Sequence, residues 1–471
     1  MKKSEKTKPV QMHLSEKEEW TREVPVLNGI AVSYARQGQV DECFTDEAEK
    51  EDSTPELLEE VISLGNLERA CRRVMRNDGS AGIDGMAAKE LGNWLSKNWQ
   101  SLQEVLRQGT YVVSGVREVE IKKPKGGYRK LGIPTVIDRM IQQAIHQVIN
   151  GIYDKTFSPT SYGFRTGRGT KNALLQVSQY LKTGKTNVVD IDMAKFFDEV
   201  NHSRLLTRLS YRIKDKGLLR LIHQYLKAGI LKGGLMTQRI KGTPQGSPLS
   251  PLLSNIVLDE LDKELSKRGH HYVRYADDLL ILVGSQKAAE RVQSSVTTYI
   301  ERVLKLKVNK TKSRICKPLD LNYLGHRFMK NGDILLSEES EKRLKGKLRK
   351  LTQRNRGRSL IQVIKELNAL LRGWLNYFKL AKMKSKLRTL DSWLRRRLRC
   401  YRLKQCKRAI SIMRFLRKLG VPEKRSWTTA ASRKGWWRKS GTPASQEGMN
   451  KKWFNKQGLF NLSTTYLSFN S

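Results

Sequence analysis

Cysteine is scarce in this chain, and what there is lies scattered. The five residues, Cys43, Cys71, Cys316, Cys400 and Cys406, form no C-x-x-C pair, so neither a zinc knuckle nor a disulfide framework is expected. Long apolar runs are missing too. Nothing approaches the ~18 residues of a membrane-crossing helix, and no signal peptide with an apolar core opens the sequence. A cytoplasmic protein is expected. Acid is short as well: 46 Asp and Glu stand against 90 Lys and Arg, a formal net charge of +44. At 471 residues the chain is long enough for roughly two or three domains with substantial cores.

The basic excess is uneven. Residues 1–60 carry 8 Lys/Arg against 15 Asp/Glu, residues 61–380 carry 58 against 28, and residues 381–471 carry 24 against 3. So dense a charge would repel itself unless a polyanion neutralised it. Trp427, Trp436, Trp437 and Trp453 are interleaved with it, an arrangement suited to base stacking beside phosphate contacts. Nucleic acid is the expected partner. The rival reading, a basic amphipathic membrane helix, fails because no segment keeps an apolar face free of polar interruption; no membrane is expected. Residues 1–54 are different: acidic, polar and aperiodic, with seven acids from Asp41 to Ser53. They read as a disordered extension, either a shield for the basic surface or a translated upstream segment without a role.

The chemistry concentrates at Tyr275-Ala276-Asp277-Asp278. Strand-like segments flank it, His271–Arg274 before and Leu279–Val283 after, so it reads as a β-hairpin whose tight turn carries two carboxylates. Asp also favours turns in general, and alone the pair would prove little. Two acids at the end of an apolar hairpin are costly to desolvate, however, and a divalent metal relieves that cost. A third carboxylate lies upstream. Asn187–Met193 alternates as a short strand carrying Asp192 near its end, and it runs into a helix start at Ala194–Asp198. An Asp at a strand end opening toward an Asp-bearing hairpin is how a palm-type polymerase site is assembled. Asp192 and Asp277 would bridge two Mg2+ ions, with Mn2+ as a substitute, and Asp278 would be a weaker ligand or orienter.

Here a family resemblance becomes specific. Asp192–Asp198 resembles the first catalytic block of reverse transcriptases, Pro244–Leu253 their template-gripping block, and Tyr275–Asp278 their second catalytic block. Asn309–Ser313 and Tyr323–His326 are similar to the two blocks that follow. Upstream, Gly79–Gly85, Arg129–Thr135 and Ser161–Arg165 resemble the fingers blocks of the bacterial group II intron-encoded proteins. Leu371–Phe378 and Trp393–Arg399 are similar to the thumb, or maturase, domain that binds intron RNA, and Arg433–Arg438 continues it. Leu360, Val363, Ile364, Leu367, Leu370, Leu371, Trp374 and Phe378 recur at helical spacing, the core stripe of an amphipathic helix. The ordered match spans roughly residues 56–465.

The resemblance implies further roles. Lys123 and Arg129, flanking the Gly126-Gly127 turn, would clamp the dNTP triphosphate; otherwise they belong to an ordinary basic hairpin. Phe197 would exclude a 2′-hydroxyl by bulk, or else is a core residue. Gln245 would contact template and incoming nucleotide. Lys312 is a general-acid candidate for the leaving pyrophosphate, or a phosphate contact. Arg395, Arg396, Arg397, Arg433, Lys434 and Trp436 are the candidate RNA contacts. Departures are small: Ser247 stands where many relatives have glycine, and Lys122 where many have proline. No H-N-H endonuclease ligands follow His326, so that appended domain is not expected.

The expected architecture is an α/β right-hand polymerase. Residues 1–54 are the extension, 55–330 form fingers and a ferredoxin-like palm, and 331–471 an α-helical thumb and maturase region. The implied activity copies an RNA template from a DNA primer with dNTPs. The same protein would bind its parent group II intron RNA, assist its splicing and prime cDNA at a target DNA; a dimer is left open. Two other readings remain at this point, a host-domesticated reverse transcriptase in defence or repair and a non-catalytic splicing factor.

Overall fold

The computed structural model describes residues 26–27, 30–31, 57–122, 126–232, 235–237, 241–243 and 245–469. The expected acidic extension, save its few positions in that range, and Lys123 lie outside the described residues. The chain separates into two compact units, one from residues 1–156 and 195–258, the other from 157–194 and 259–471. The units interleave along the sequence, and no boundary falls at 330. The strands of the two larger sheets are, in chain order, β1 (Val116–Lys122), β2 (Tyr128–Ile133), β3 (Asn187–Asp192), β4 (Ile230–Lys232), β5 (Leu235–Thr237), β6 (His271–Tyr275), β7 (Asp278–Val283) and β8 (Arg314–Cys316).

The first unit holds the sheet β2-β1-β4-β5. Its β1–β2 hairpin closes with Lys122 opposite Tyr128, and Gly126 and Gly127 both take positive φ, 95° and 75°, a region glycine enters without steric cost. The helix Val136–Tyr153 starts at Thr135, whose side chain accepts from the Asp138 backbone N–H, a cap worth about 1 kcal/mol. The Asp138 carboxyl is fully buried and burial raises its pKa. Hydroxyl donors at Tyr111 (2.8 Å), Thr135 (2.6 Å) and Tyr225 (3.2 Å) satisfy it. A buried carboxyl so surrounded is a structural anchor.

The second unit holds the palm sheet β8-β3-β7-β6, antiparallel throughout. Numbered along the chain, that order is fourth, first, third, second: the ferredoxin-like arrangement that the sequence implied. The helix Gln286–Thr298 joins β7 to β8 and packs on β3 and β7. Leu279, Leu280, Ile281 and Leu282 of β7 are all buried, as expected of a strand covered on both faces. The helix Leu360–Phe378 opens with a Ser359–Gln362 capping box. It buries Leu360, Val363, Ile364, Leu367, Leu371, Leu375 and Phe378, while Leu370 and Trp374 pack only partly buried at the side. One apolar core runs from Tyr162 and Leu282 through this helix to Phe454 and Tyr466. Palm and helical region are thus joined by packing, although their sequences read as successive domains. Among the described residues no helix is long and apolar enough to cross a membrane.

Candidate active site

Asp192 ends β3, Asp278 begins β7, and the two pair directly in the antiparallel register. Opposed residues in such a pair have Cβ atoms about 5 Å apart, so two carboxylates leave the sheet side by side. Tyr275 pairs with Asp278, which makes Ala276 and Asp277 the whole connection between β6 and β7. Ala276 takes φ 57°, a conformation that costs a residue with a Cβ about 1–2 kcal/mol. A fourth carboxylate, missed in the sequence, is Asp190. Two residues before Asp192 on the same strand, it lies on the same face, a spacing legible in the motif Asp190-Ile191-Asp192.

The carboxylates perturb one another. The pKa of Asp278 is pushed up to about 7 by burial, then by Asp277, Asp190 and Asp192, with Lys312 opposing. Water still reaches Asp278, so the crowding of like charge is the part of that shift the geometry carries. Asp190 is pushed up to about 6 by burial, opposed by Arg314 and reinforced by Asp192. Among the described residues Lys312 pairs with Asp192, its Nζ 3.2 Å from Oδ2. Among the described residues no three His, Cys, Asp or Glu side chains already converge as a metal cage. What the fold fixes is the backbone alignment of hard oxygen donors whose mutual repulsion is only partly relieved. That donor set fits a divalent cation of the Mg2+ type.

Asp192 is braced by the segment 307–313. Its N–H donates to Ser313 Oγ at 3.0 Å, its carbonyl accepts from Asn309 N at 2.8 Å, and Ala194 N donates to Lys307 O at 2.8 Å. Ser313 was a motif letter in the sequence, with no role attached; here it holds the strand end in place.

The remaining nucleotide-site candidates lie in the first unit. Phe197 is half-buried, edge-on to the buried Phe196 at 5.4 Å. Phe196 is therefore the core phenylalanine, and Phe197 keeps a face outside. The carbonyl of Phe197 accepts from Thr243 N at 2.6 Å. Gly242, at φ 89°, comes so near that a Cβ would lie 2.8 Å from the same oxygen. Gln245 is half-buried, and its carbonyl accepts from Gly132 N at 2.8 Å, which pins the template-block turn to β2. Ser247, the departure from glycine, is buried and donates to Gln142 Oε1. Arg129 is exposed on β2.

The candidate RNA contacts divide. On the helix Lys384–Gln405, Arg397 donates to Thr352 Oγ1 (2.6 Å) and to the Arg349 carbonyl (3.3 Å), so it closes the C-terminal end of the helix Glu338–Leu351. Arg396 stacks on Trp437, 4.3 Å from the ring centre. Asp391 accepts from the backbone N–H groups of Leu462 and Ser463 at 3.1 and 2.9 Å, and among the described residues it forms no ion pair with an arginine. Arg433 and Lys434 are exposed, Arg395 is partly exposed, and Trp436 is half-buried under Lys439.

A ferredoxin-like palm with carboxylates at opposed strand ends defines the class: a right-hand nucleic-acid polymerase. Residues 121–328 match the reverse transcriptase (RNA-dependent DNA polymerase) family, and residues 341–420 match the group II intron maturase-specific domain. The chain belongs to the reverse transcriptases that carry a group II intron maturase domain. It is 31% identical over 305 residues to protein YkfC of Escherichia coli strain K12, an overlap covering 56% of this chain and 80% of that one. It is 29% identical over 306 residues to the group II intron-encoded protein LtrA of Lactococcus lactis subsp. cremoris, covering 50% and 51%. With the putative COX1/OXI3 intron 2 protein of Saccharomyces cerevisiae the identity is 26% over 313 residues, covering 54% and 36%. The chain thus spans about half the length of LtrA.

Proposed function

We propose that the protein is an RNA-directed DNA polymerase that extends a DNA primer on an RNA template with dNTPs, and that it binds its parent group II intron RNA, assists its splicing and primes cDNA at a DNA target. The observation that carries the polymerase reading is the register pair Asp192–Asp278 with Asp277 in the two-residue turn. Asp192, Asp277 and Asp278 would hold the divalent ions, two Mg2+ with Mn2+ as substitute. When bound, such ions lower the pKa of the primer hydroxyl and neutralise charge on the pyrophosphate. The residues around them do the rest. Lys312 would act as a proton donor or phosphate contact, Arg129 and Lys123 would bind triphosphate, Gln245 would orient the template, and Phe197 would screen the sugar. The basic C-terminal region, 24 Lys/Arg against 3 acids over residues 381–471, supports the intron-binding half of the proposal.

The test is Asp277→Asn. Primer extension should fall to background while RNA affinity stays within about threefold, since one charge is lost from a site remote from most phosphate contacts. Undiminished extension by that variant would sink the assignment.

A further inference from the structure

Behind the turn that carries Asp277 lies an arginine with no access to solvent. Arg274 and Asp262 are both 0% exposed in their side chains and form an ion pair at 2.5 Å. The guanidinium is used on three sides. Nε and Nη2 grip the Asp262 carboxylate, Nη2 also donates to Ser161 Oγ at 2.7 Å, and Nη1 donates to the Ala276 carbonyl at 3.0 Å. Its backbone is bracketed as well: Arg274 N donates to Thr160 O at 3.0 Å, and its carbonyl accepts from Tyr162 N at 2.9 Å. That same loop brings Gly163 against the turn, so close that a Cβ there would collide with the Ala276 nitrogen and sit 3.0 Å from the Tyr275 carbonyl carbon. Arg165 stiffens the loop from its other end, donating to the carbonyls of Ser158 (2.7 Å) and Ser161 (3.1 Å).

A buried ion pair is a poor way to gain stability, because removing both charges from water cancels much of their attraction; apolar residues of similar volume usually serve as well. What a guanidinium adds is a rigid planar fork that fixes several acceptors in one geometry. Here one of those acceptors is the carbonyl of Ala276, the residue held at positive φ and immediately preceding Asp277. Without a hold on that carbonyl, an alanine would relax toward negative φ and re-aim the carboxylate of the Asp277 that follows.

We propose that Arg274, locked by Asp262 and flanked by Gly163, is a positioning residue that holds the Ala276–Asp277 turn so that the Asp277 carboxylate faces Asp192. This rests on the polymerase reading above. Arg274 touches neither nucleotide nor primer; it acts through the turn, and its removal should be felt in the rate of the chemical step and in cation binding, not in nucleotide affinity.

The experiment compares the full-length wild type with a paired apolar replacement, Arg274→Met with Asp262→Leu, and with Gly163→Ala, which leaves the ion pair intact but presses on the turn. Thermal melting, single-nucleotide incorporation and Mn2+ binding by electron paramagnetic resonance are measured on each. The paired variant should melt near the wild type, lose about 10- to 100-fold in kcat with KM for dNTP within about threefold, and bind Mn2+ several-fold more weakly. Gly163→Ala should shift kcat and Mn2+ affinity the same way, which keeps the test decisive should the paired variant fail to fold. A folded paired variant, or Gly163→Ala, with wild-type kcat and Mn2+ affinity would overturn the proposal and leave Arg274 as a core ion pair. Should wild type itself extend no primer, the polymerase reading fails, and Mn2+ affinity alone then decides the clamp: weakened in the variants it stands, unchanged it falls.

Discussion

Lys312 reaches the Asp192 carboxylate from across 120 residues of sequence, its Nζ 3.2 Å from one oxygen and 3.4 Å from the other. The ammonium sets a positive charge against a group of carboxylates that repel one another, and it would compete by charge with a divalent cation bound to Asp192. Two effects should separate when it is removed. Lys312→Met should lower kcat by about 100-fold if the lysine protonates the pyrophosphate, while the Mg2+ concentration for half-maximal rate should not rise, because a competing cation has gone. A raised KM for dNTP with kcat unchanged would instead make Lys312 a phosphate contact.

Phe197 keeps a face outside the core because Phe196, its neighbour, takes the buried place. Replacing it with Val or Ala should therefore cost little stability and open room for one hydroxyl. Ribonucleotide incorporation relative to deoxyribonucleotide should rise by roughly 10-fold or more, since small apolar contacts discriminate on that scale. The ratio of kcat/KM for matched rNTP and dNTP is the readout. An unchanged ratio would remove Phe197 from the nucleotide site.

His326 should make the protein acid-sensitive. Its side chain is fully buried, Nδ1–H donates to the Leu324 carbonyl at 3.0 Å, and among the described residues Nε2 has no hydrogen-bond partner. Phe378 lies 4.9 Å away, ring to ring. Burial lowers the imidazole pKa to about 4, partly offset by the Leu324 contact. In the unfolded chain it titrates near ~6.5, so between those values the unfolded state holds the extra proton. Stability is complete above ~6.5 and is lost as pH falls toward 4, by about 2 kcal/mol at pH 5. Denaturant titrations at pH 7 and 5 should show a larger drop for the wild type than for His326→Asn, which keeps a donor near Leu324 and cannot take the charge. Equal drops would rule His326 out as the source.

Much of the site was legible because it is local. Strand alternation before Asp192 and the strand-like segments flanking the Tyr275–Asp278 turn exposed the palm hairpin and its charges, and the ferredoxin-like order followed from the resemblance of the blocks. What holds those charges was hidden because it is long-range. Arg274 reads as one more basic residue in a basic chain; its meaning depends on Asp262, which sits on the preceding helix. A basic residue inside a strand buried on both faces was the available signal, since it demands an acid partner. Asp190 stands in plain view beside Asp192, where it passes for ordinary strand polarity. The compact units could not be read from chain order, because residues 195–258 belong with the first unit while the strands on either side of them belong with the second.

The arginines of the C-terminal helix should not behave alike, although in sequence Arg395, Arg396 and Arg397 form one cluster. Arg397 is committed to Thr352 and the Arg349 carbonyl, and Arg396 to the face of Trp437. Arg397→Ala should therefore lower stability by about 1–3 kcal/mol, the range for a charged hydrogen-bonding group removed from partly buried acceptors. Arg395, partly exposed, makes no hydrogen bond or ion pair among the described residues; Arg433 and Lys434 are exposed on the run that continues the maturase-like region. Arg395→Ala combined with Arg433→Ala and Lys434→Ala should leave the melting temperature in place. RNA affinity should fall, and the slope of log K against log salt should flatten by roughly 0.7–0.9 for each phosphate no longer neutralised. Intron splicing assistance should drop with it, while extension on a short generic template, held by fingers and palm, survives better. Equal loss of both activities in a folded triple variant would mean that this surface grips the primer–template duplex, and that intron recognition lies on another face.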